Sequence, residues 1–466
     1  MPTIHLPDAL LPVTQLLTAM FDKIQALPDA RKVELIVHQE FKKIEQQTME
    51  VCVQRKAEQA ADKDVREVRC PHCEKGWAVR LEPLAPRFAE TVRGRVDFVR
   101  PVYRCDQPDC RRERCLLDEE LGLEPKEHYT PLMQSKLAWA GTSGSSFERA
   151  SRDLEHQNEL QVSAAQIRRV TEKSGRRALA LQDREVKKRG APASLEAPIP
   201  VAEQPETVVL EMDGTCVMGR DGGGHEVKCA TVFGLDARAS SGSPGKERPL
   251  LLRRCYCATS LGMRAFGSMV WALASWWGVR AARRVVVVGD GGEWIWNYSR
   301  DRLRFTLPDG SVAAPVEILD FYHAAENLGK ARKEIFADPE SAPARAWFDQ
   351  WRHRLRQGEV EAVIEELDKR IKMAKDQTRR DALRVRRNYF AEHRERMHYP
   401  DFEAQGLPIG SGAIEGTCKN LVKGRMDGVG MRWDVEEGIE LMIALRVRMF
   451  NERWEDLWAE DQAQAA

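Results

Sequence analysis

Four consecutive valines, Val285 to Val288, run into Gly-Asp-Gly-Gly and then an aromatic helix start, so that Val285 to Trp296 reads VVVVGDGGEWIW. β-branched residues favour the extended chain. A run of them with no polar alternation suits a strand covered on both faces, and hence an α/β sheet with helices packed against it. Asp290 then stands at the carboxyl end of such a strand, where ligand and catalytic sites of α/β sheets commonly lie.

The order of the neighbouring elements narrows the sheet. TVVLEMDGTCVMG predicts a strand carrying Asp213, and HEVKCATVFGLD and ERPLLLRRCYCATS predict two more with hairpin-like connections. MRAFGSMVWALASWWG follows as a helix, VVVVGD as a strand, EWIWNYSRD as a short helix, and APVEILDFYHAAENLGKA as a strand running into another helix. Three strands, a helix, a strand, a helix and a strand match a ribonuclease H-like arrangement, an antiparallel meander extended by parallel strands. There the first and fourth strands are neighbours, so Asp213 and Asp290 are expected to approach each other. Two carboxylates so close are costly unless cations neutralise them, and Mg²⁺ prefers carboxylate and water oxygens. Such a pair commonly holds two metal ions, ~3.5 to 4 Å apart, that clamp the attacking and leaving oxygens of a phosphodiester displacement.

GSGAIEGTCKNLVKGRM offers a third acid, Glu415, in the opening turn of a helix, where a carboxylate complements the dipole. Lys419 and Lys423 follow at spacings of four and share its face, as phosphate-binding cations beside a metal ligand. Singly, an Asp beside Gly is commonly a turn residue and a Glu near a helix start a cap or dipole partner. Three acids at the required topological positions point to a metal site.

With 466 residues and 42% hydrophobic content the chain exceeds one ordinary domain. Its 72 basic and 72 acidic residues leave total charge silent about a nucleic-acid partner. Locally, Trp351 to Pro400 holds 14 Lys plus Arg against 9 Asp plus Glu on a helical pattern, either a solvated face or a surface for the DNA backbone. No apolar run approaches the roughly 20 residues of a membrane-spanning helix. The start MPTIHLPDALLPV lacks the basic segment and apolar core of a signal peptide, so a cytoplasmic location is expected.

In that setting the 11 cysteines are not expected to be disulfides, and four of them form a pattern. Cys70 and Cys73 in CPHC, and Cys105 and Cys110 in CDQPDC, lie beside the turn formers Pro71 and Pro108, with an alternating strand-like stretch from Phe88 to Tyr103 between them. Two such pairs can put four thiolates around one structural Zn²⁺, leaving no open position for catalysis. Cys115 is a spare nearby ligand that could replace Cys110, and buried unpaired cysteines are the plainer alternative.

Residues 31 to 62 carry apolar residues at helical spacing and predict a long helix for packing or self-association. From Thr130 to Arg189 the pattern is a helix, a GTSGSS break, the helix FERASRDLEHQ, a short turn, and a helix that Ser163 caps. Gln166, Arg168, Arg169 and Lys173 fall on or near the exposed face of that last helix. This is the grammar of a helix-turn-helix whose second helix enters a major groove, with a plain helical hairpin as the alternative. Trp347 and Trp351 sit four apart on one helix face, for core packing or, alternatively, for base stacking, and Trp294 and Trp296 are read as packing on the sheet and helical insertion.

The expected division is an N-terminal helical region over 1–64, a zinc ribbon over 65–120, a helix-turn-helix DNA-binding region over 121–190 and a linker over 191–204. A ribonuclease H-like catalytic core follows over 205–322, then a helical insertion over 323–404 and the C-terminal part of the core, with the catalytic Glu, over 405–466.

The ordered set MDGT, VVVVGDGGEWIW, LDFYHAAENL and GSGAIEGTCKNLVKGRM resembles the DDE transposases of bacterial insertion sequences, most closely those of the Kra type, relatives of the Mutator-like group. The likeness extends to CPHC, CDQPDC and the closing WDVEEGIELMIALRVRMFNERWEDLW, and so covers roughly residues 65 to 458. It implies that Asp213, Asp290 and Glu415 are the catalytic acids and hold two Mg²⁺ or Mn²⁺ ions. It matches Asp320 and His323 to the DxxH element after the second acid, the His being a positioning residue or a satisfied histidine at a strand-to-helix junction. It implies an all-helical insertion over 323 to 400, and a phosphate-meeting lysine about seven residues beyond the Glu, where this chain has Lys419 and Lys423 at four and eight.

The implied activity is that of a transposase that binds terminal inverted repeats of double-stranded DNA, hydrolyses a phosphodiester to free a 3′-OH, and joins that end to target DNA. It would act as a homodimer or higher oligomer, nucleoid-associated when bound. The alternatives are a ribonuclease H-like nuclease without strand transfer, and a catalytically silent or domesticated transposase-derived DNA-binding protein.

Overall fold

In a computed structural model the chain divides into two units, Met1–Gly141 with Phe147–Thr171 and Glu455–Ala466, and Thr142–Ser146 with Glu172–Trp454. The structure describes residues 11–25, 29–63, 65–190, 205–241, 248–280, 282–306 and 312–459. The expected linker over 191–204 lies outside them.

The first unit opens with helices α1 (Leu11–Gln25) and α2 (Ala30–Asp62), packed on each other. Asp29 caps α2 by accepting from the Lys32 amide at 2.9 Å. Strands β1 (Glu67–Arg69), β2 (Trp77–Arg80), β3 (Ala85–Thr91), β4 (Gly94–Arg100), β5 (Tyr103–Cys105) and β6 (Glu113–Arg114) precede the short α3 (Leu116–Glu120). β1, β2, β5 and β6 form one sheet in that order, and β3 pairs with β4 as a separate hairpin. The alternation seen in the sequence has a direct cause. Ala89, Val96 and Phe98 point inward, and with Val53 and Ala57 of α2 they form one apolar core that also takes in Cys115.

Helices α4 (Pro131–Ser143), α5 (Phe147–Asn158) and α6 (Ala164–Gly190) follow, and the boundary between the units falls within α6. At the start of α6 the Ser163 hydroxyl accepts from the Gln166 amide at 3.3 Å, while Gln166 Oε1 accepts from the Ser163 amide at 3.1 Å. This reciprocal capping box satisfies two donors that a helix start otherwise leaves unpaired.

The second unit contains β7 (Thr207–Met218), β8 (Gly224–Ser241), β9 (Arg248–Leu251), β10 (Cys255–Thr259), α7 (Met263–Trp276), β11 (Arg284–Gly289), α8 (Glu293–Arg302), β12 (Phe305–Thr306), β13 (Val312–Ala313) and β14 (Val316–Leu319). The sheet runs β10-β8-β7-β11-β14, with β9 added to β8 and a separate β12–β13 pair. β8 is antiparallel to both of its neighbours β7 and β10, whereas β11 is parallel to both β7 and β14. Val286 to Val288 are wholly buried, as are Val208 to Leu210 on the neighbouring strand. A run without polar alternation needs that cover on both faces.

Beyond the sheet come α9 (Phe321–Ile335), α10 (Ala342–Arg356), α11 (Val360–Met373) and α12 (Gln377–Glu392); α10 packs on α9, α11 on α10 and α12 on α11, and α12 returns to α9. Trp347 and Trp351 lie in their core, where Trp347 Nε1 donates to Glu366 at 2.9 Å. They serve packing, not an exposed stacking platform. Much of the basic surplus of these helices meets carboxylates at once: Arg354 pairs with Glu359, Arg370 with Glu366, Arg387 with Asp368 and Arg396 with Glu317. The chain closes with α13 (Tyr399–Ala404), α14 (Gly412–Thr417), a π-helical stretch over Cys418–Lys423, α15 (Gly424–Met426) and α16 (Gly438–Phe450). Among the described residues no helix is long and apolar enough to cross a membrane.

Candidate functional site

The register of two strands sets the first two acids. Val286 lies opposite Val209 and Val288 opposite Glu211 in the parallel pair of β11 and β7. Asp290 and Asp213, each two residues further along, therefore emerge at the same end of adjacent strands. Both are half-buried. Asp213 accepts from the Gly214 amide at 2.6 Å and Asp290 from the Gly292 amide at 2.9 Å. Burial first, and then the charge of Asp290, push the Asp213 carboxyl above the usual range against the pull of the Gly214 amide. A half-buried pair of like charges of this kind is eased by a bound cation, and the donor set suits Mg²⁺ or Mn²⁺.

The turn after Asp290 is braced by the helical array. Gly291 has φ +107°, and a Cβ there would stand 2.8 Å from Tyr389 Cε2. Glycine is required on both counts. The Tyr389 hydroxyl donates to the Asp290 carbonyl at 2.9 Å, and the His393 ring lies 5.0 Å from that of Tyr389. Trp296 is buried 6.0 Å from His393 under the Arg396 guanidinium, while Trp294 meets Phe266 of α7 edge-on at 5.6 Å. The tryptophans pack between acid turn, sheet and helices.

Glu415 comes in on α14. The Ile414 amide donates to Glu211 Oε2 at 2.8 Å, and the Ser411 amide donates to Asp320 Oδ2 at 2.8 Å, joined there by the Ser411 hydroxyl. Asp320 Oδ1 meanwhile caps α9, accepting from the amides of Tyr322 at 2.6 Å and His323 at 3.2 Å. His323 Nδ1 stands 3.5 Å from Asp320 Oδ2, an ion-pair separation, and Asp320 raises the imidazole pKa to about 9 against the opposing effect of burial. The DxxH residues are thus engaged with each other and with two helix starts.

Glu415, Lys419 and Lys423 are all exposed. Their spacing predicts one α-helix, yet the backbone widens to a π-helix over Cys418–Lys423. The buried Arg446 of α16 donates to the carbonyls of Asn420 and Leu421 within this widened stretch, and to that of Thr142 at 2.8 Å. The widened turn rests against the first acid, with Cys418 Sγ 3.9 Å from Asp213 Oδ2. Glu415 shares a segment tied to β7, but among the described residues the only group of three or more potential ligands with donor atoms all within 4.8 Å is a different one.

That group is Cys70, Cys73, Cys105 and Cys110. Cys70 and Cys110 sulfurs are 3.8 Å apart and those of Cys73 and Cys105 3.7 Å. A tetrahedron with metal–sulfur bonds of ~2.3 Å has edges of about 3.8 Å, so the four thiols fit Zn²⁺. The Cys73 amide, and after it that of His72, lower the Cys70 thiol to about 7 against burial, whereas burial pushes the Cys105 thiol up to about 12, so the fit to a metal rests on the sulfur geometry. Cys115 is in the apolar core instead. On α6, Gln166 is committed to the capping box, Arg169 lies 3.6 Å from Glu127, and Arg168 and Lys173 are half-buried with interactions of their own.

A family model described as Uncharacterised protein family (UPF0236) matches residues 36–460. The chain belongs to this family. The matched span of the UPF0236 chain takes in the cysteine cluster, the sheet, the helical array and Glu415. Among solved structures the chain is similar to one described as "Drosophila P element transposase strand transfer complex", at 12% identity over 75% of this chain and 84% of that chain, with a TM-score of 0.24. No curated protein matches it.

Several residues around this UPF0236 site escape sequence reasoning: Glu211, Tyr389, His393, Cys418 and Arg446. Only Glu211 leaves a local signal, a carboxylate inside the otherwise apolar TVVLEM.

Proposed function

We propose that this UPF0236 chain is a metal-dependent DNA transposase with a ribonuclease H-like core, in which Asp213, Asp290 and Glu415 hold Mg²⁺ or Mn²⁺. The observation that carries the reading is the placement of Asp213 and Asp290 at one end of adjacent parallel strands, close enough for the charge of one to raise the pKa of the other. The tie of the Glu415 segment to β7 supports it. Bound there, a divalent metal supplies activation of an attacking water or 3′-OH and neutralises charge building on the phosphate. Lys419 and Lys423, exposed beyond Glu415, meet the phosphate backbone. α5 and α6 serve recognition of the transposon ends, and Zn²⁺ on Cys70, Cys73, Cys105 and Cys110 would fix the fold of its own module. Bringing two ends of an element together calls for at least two copies of the chain on DNA.

The test is incubation of labelled end DNA with target DNA in Mg²⁺ or Mn²⁺. Joined product is expected, and Asp290→Ala is expected to lose both cleavage and joining. Cleavage that persists in Asp290→Ala would sink the assignment of the site; cleavage without joining would make the chain a nuclease, and binding without cleavage a silent DNA-binding protein.

A further inference from the structure

Glu211 lies in the middle of an apolar strand and is only 2% exposed. Burial pushes the Glu211 carboxyl up to about 8 against the pull of the Ile414 amide, which donates to Glu211 Oε2 at 2.8 Å from 203 residues away in sequence. Asp320, 3% exposed, follows β14 and accepts from the amide and hydroxyl of Ser411. In the sheet β11 lies between β7 and β14, so the two ties flank the strand that delivers Asp290. The segment from Ser411 to Ile414 therefore crosses the end of β11, and Glu415 is the next residue. α14 runs straight on into the π-helical stretch and α15, where Thr417 meets Thr231 and Arg446 holds the later turns, but its first turn begins in a Gly-Ser-Gly sequence that fixes no direction of its own. Glu415 itself is linked to the ties through its amide, which donates to the Ser411 carbonyl at 3.1 Å.

We propose that Glu211, together with Asp320, is a positioning residue for Glu415: two buried acidic side chains hold the Ser411–Ile414 segment and so set where the Glu415 side chain stands relative to Asp213 and Asp290. The inference rests on the reading of those three acids as metal ligands. Glu211 acts on the segment through the Ile414 amide, and Asp320 through the amide and hydroxyl of Ser411. A glutamine at 211 keeps an oxygen for the Ile414 amide, whereas a leucine of similar bulk leaves that donor unpaired in the core.

The experiment is a Mn²⁺ titration of the full-length, zinc-loaded chain, read by the electron paramagnetic resonance of free Mn²⁺. Glu211→Gln and Glu211→Leu are compared alone and combined with Glu415→Ala. Glu211→Leu is expected to weaken Mn²⁺ binding about 10-fold and Glu211→Gln by less than about threefold, the range over which supporting residues tune metal affinity. In the Glu415→Ala background Glu211→Leu is expected to add no further loss, because its effect passes through Glu415. Equal weakening in both backgrounds, or none in either, overturns the proposal. Should Glu211→Leu not fold, Ser411→Ala, which cuts the hydroxyl tie to Asp320, is held to the same criterion. If Asp213→Ala and Glu415→Ala bind Mn²⁺ as the wild type does, the metal-site reading itself falls, and this inference with it.

Discussion

Tyr389 donates its hydroxyl hydrogen to the main-chain oxygen of Asp290 across 2.9 Å, joining the last helix of the four-helix array to the turn that carries an acid of the site. Tyr389→Phe keeps the ring against Phe390 and His393 but leaves that carbonyl without its donor. The expected loss of stability is about 1 kcal/mol in urea unfolding. Metal-dependent cleavage is expected to fall while affinity for DNA stays at the wild-type level. A variant as stable and as active as the wild type would show that the brace is dispensable.

Gly291→Ala tests the same turn from the other side. Gly291 has φ +107° and its missing Cβ faces Tyr389 Cε2 at 2.8 Å, so alanine meets both backbone strain and a clash. Gly222 has φ +84°, and a Cβ added there would meet nothing within 4 Å, so Gly222→Ala carries the strain alone. Strain of this kind costs about 1 to 3 kcal/mol, and Gly291→Ala is expected to exceed Gly222→Ala in calorimetric melting. Equal losses would remove the packing argument.

The cysteine cluster predicts a single equivalent of zinc per chain by elemental analysis. Cys73→Ser is expected to lose it, and a chelator to unfold the first unit, because a structural zinc contributes folding free energy directly. Cys115→Ser is expected to keep the metal, since Cys115 packs among Val53, Phe98 and Leu117. Its cost would be about 1 to 3 kcal/mol for burying a hydroxyl in place of a thiol. Zinc retained in Cys73→Ser but lost in Cys115→Ser would reverse the assignment.

What the sequence made legible was local. The valine run, the paired cysteines and the Ser163 cap each declare themselves within a few residues, because strand burial, knuckle spacing and capping are short-range physics. What it hid was long-range. Glu211 stands out locally as an acid in an apolar run, but nothing near it in sequence names its partner, the Ile414 amide 203 residues on. The i, i+4 spacing of Glu415, Lys419 and Lys423 fits an α-helix and does not show the π-helical widening, whose Leu421 carbonyl takes a hydrogen bond from Arg446, 25 residues on. The arginines near residue 390 look like a DNA surface in composition, yet Arg396 is spent on Glu317, 79 residues back. Helical spacing puts Gln166 on a base-reading face, but its side chain closes the capping box, a competing role that the same spacing equally allows.

His323 makes stability depend on pH. Asp320, 3.5 Å away, raises its pKa to about 9, and the negative charge of Asp290 adds to the effect. An unfolded histidine titrates near about 6.5. The folded state holds the proton more tightly, so the stabilisation is fully present below about pH 6.5 and is lost as pH rises through about 9. His323→Gln removes the titrating group and leaves the Asp320 cap on α9, whose donors are the Tyr322 amide and the amide of residue 323 itself. The stability difference between wild type and His323→Gln, from urea unfolding across the range between about pH 6 and about pH 9.5, is therefore expected to shrink as pH rises. A difference that stays constant over this range would mean that the His323–Asp320 pair contributes no pH-linked stability.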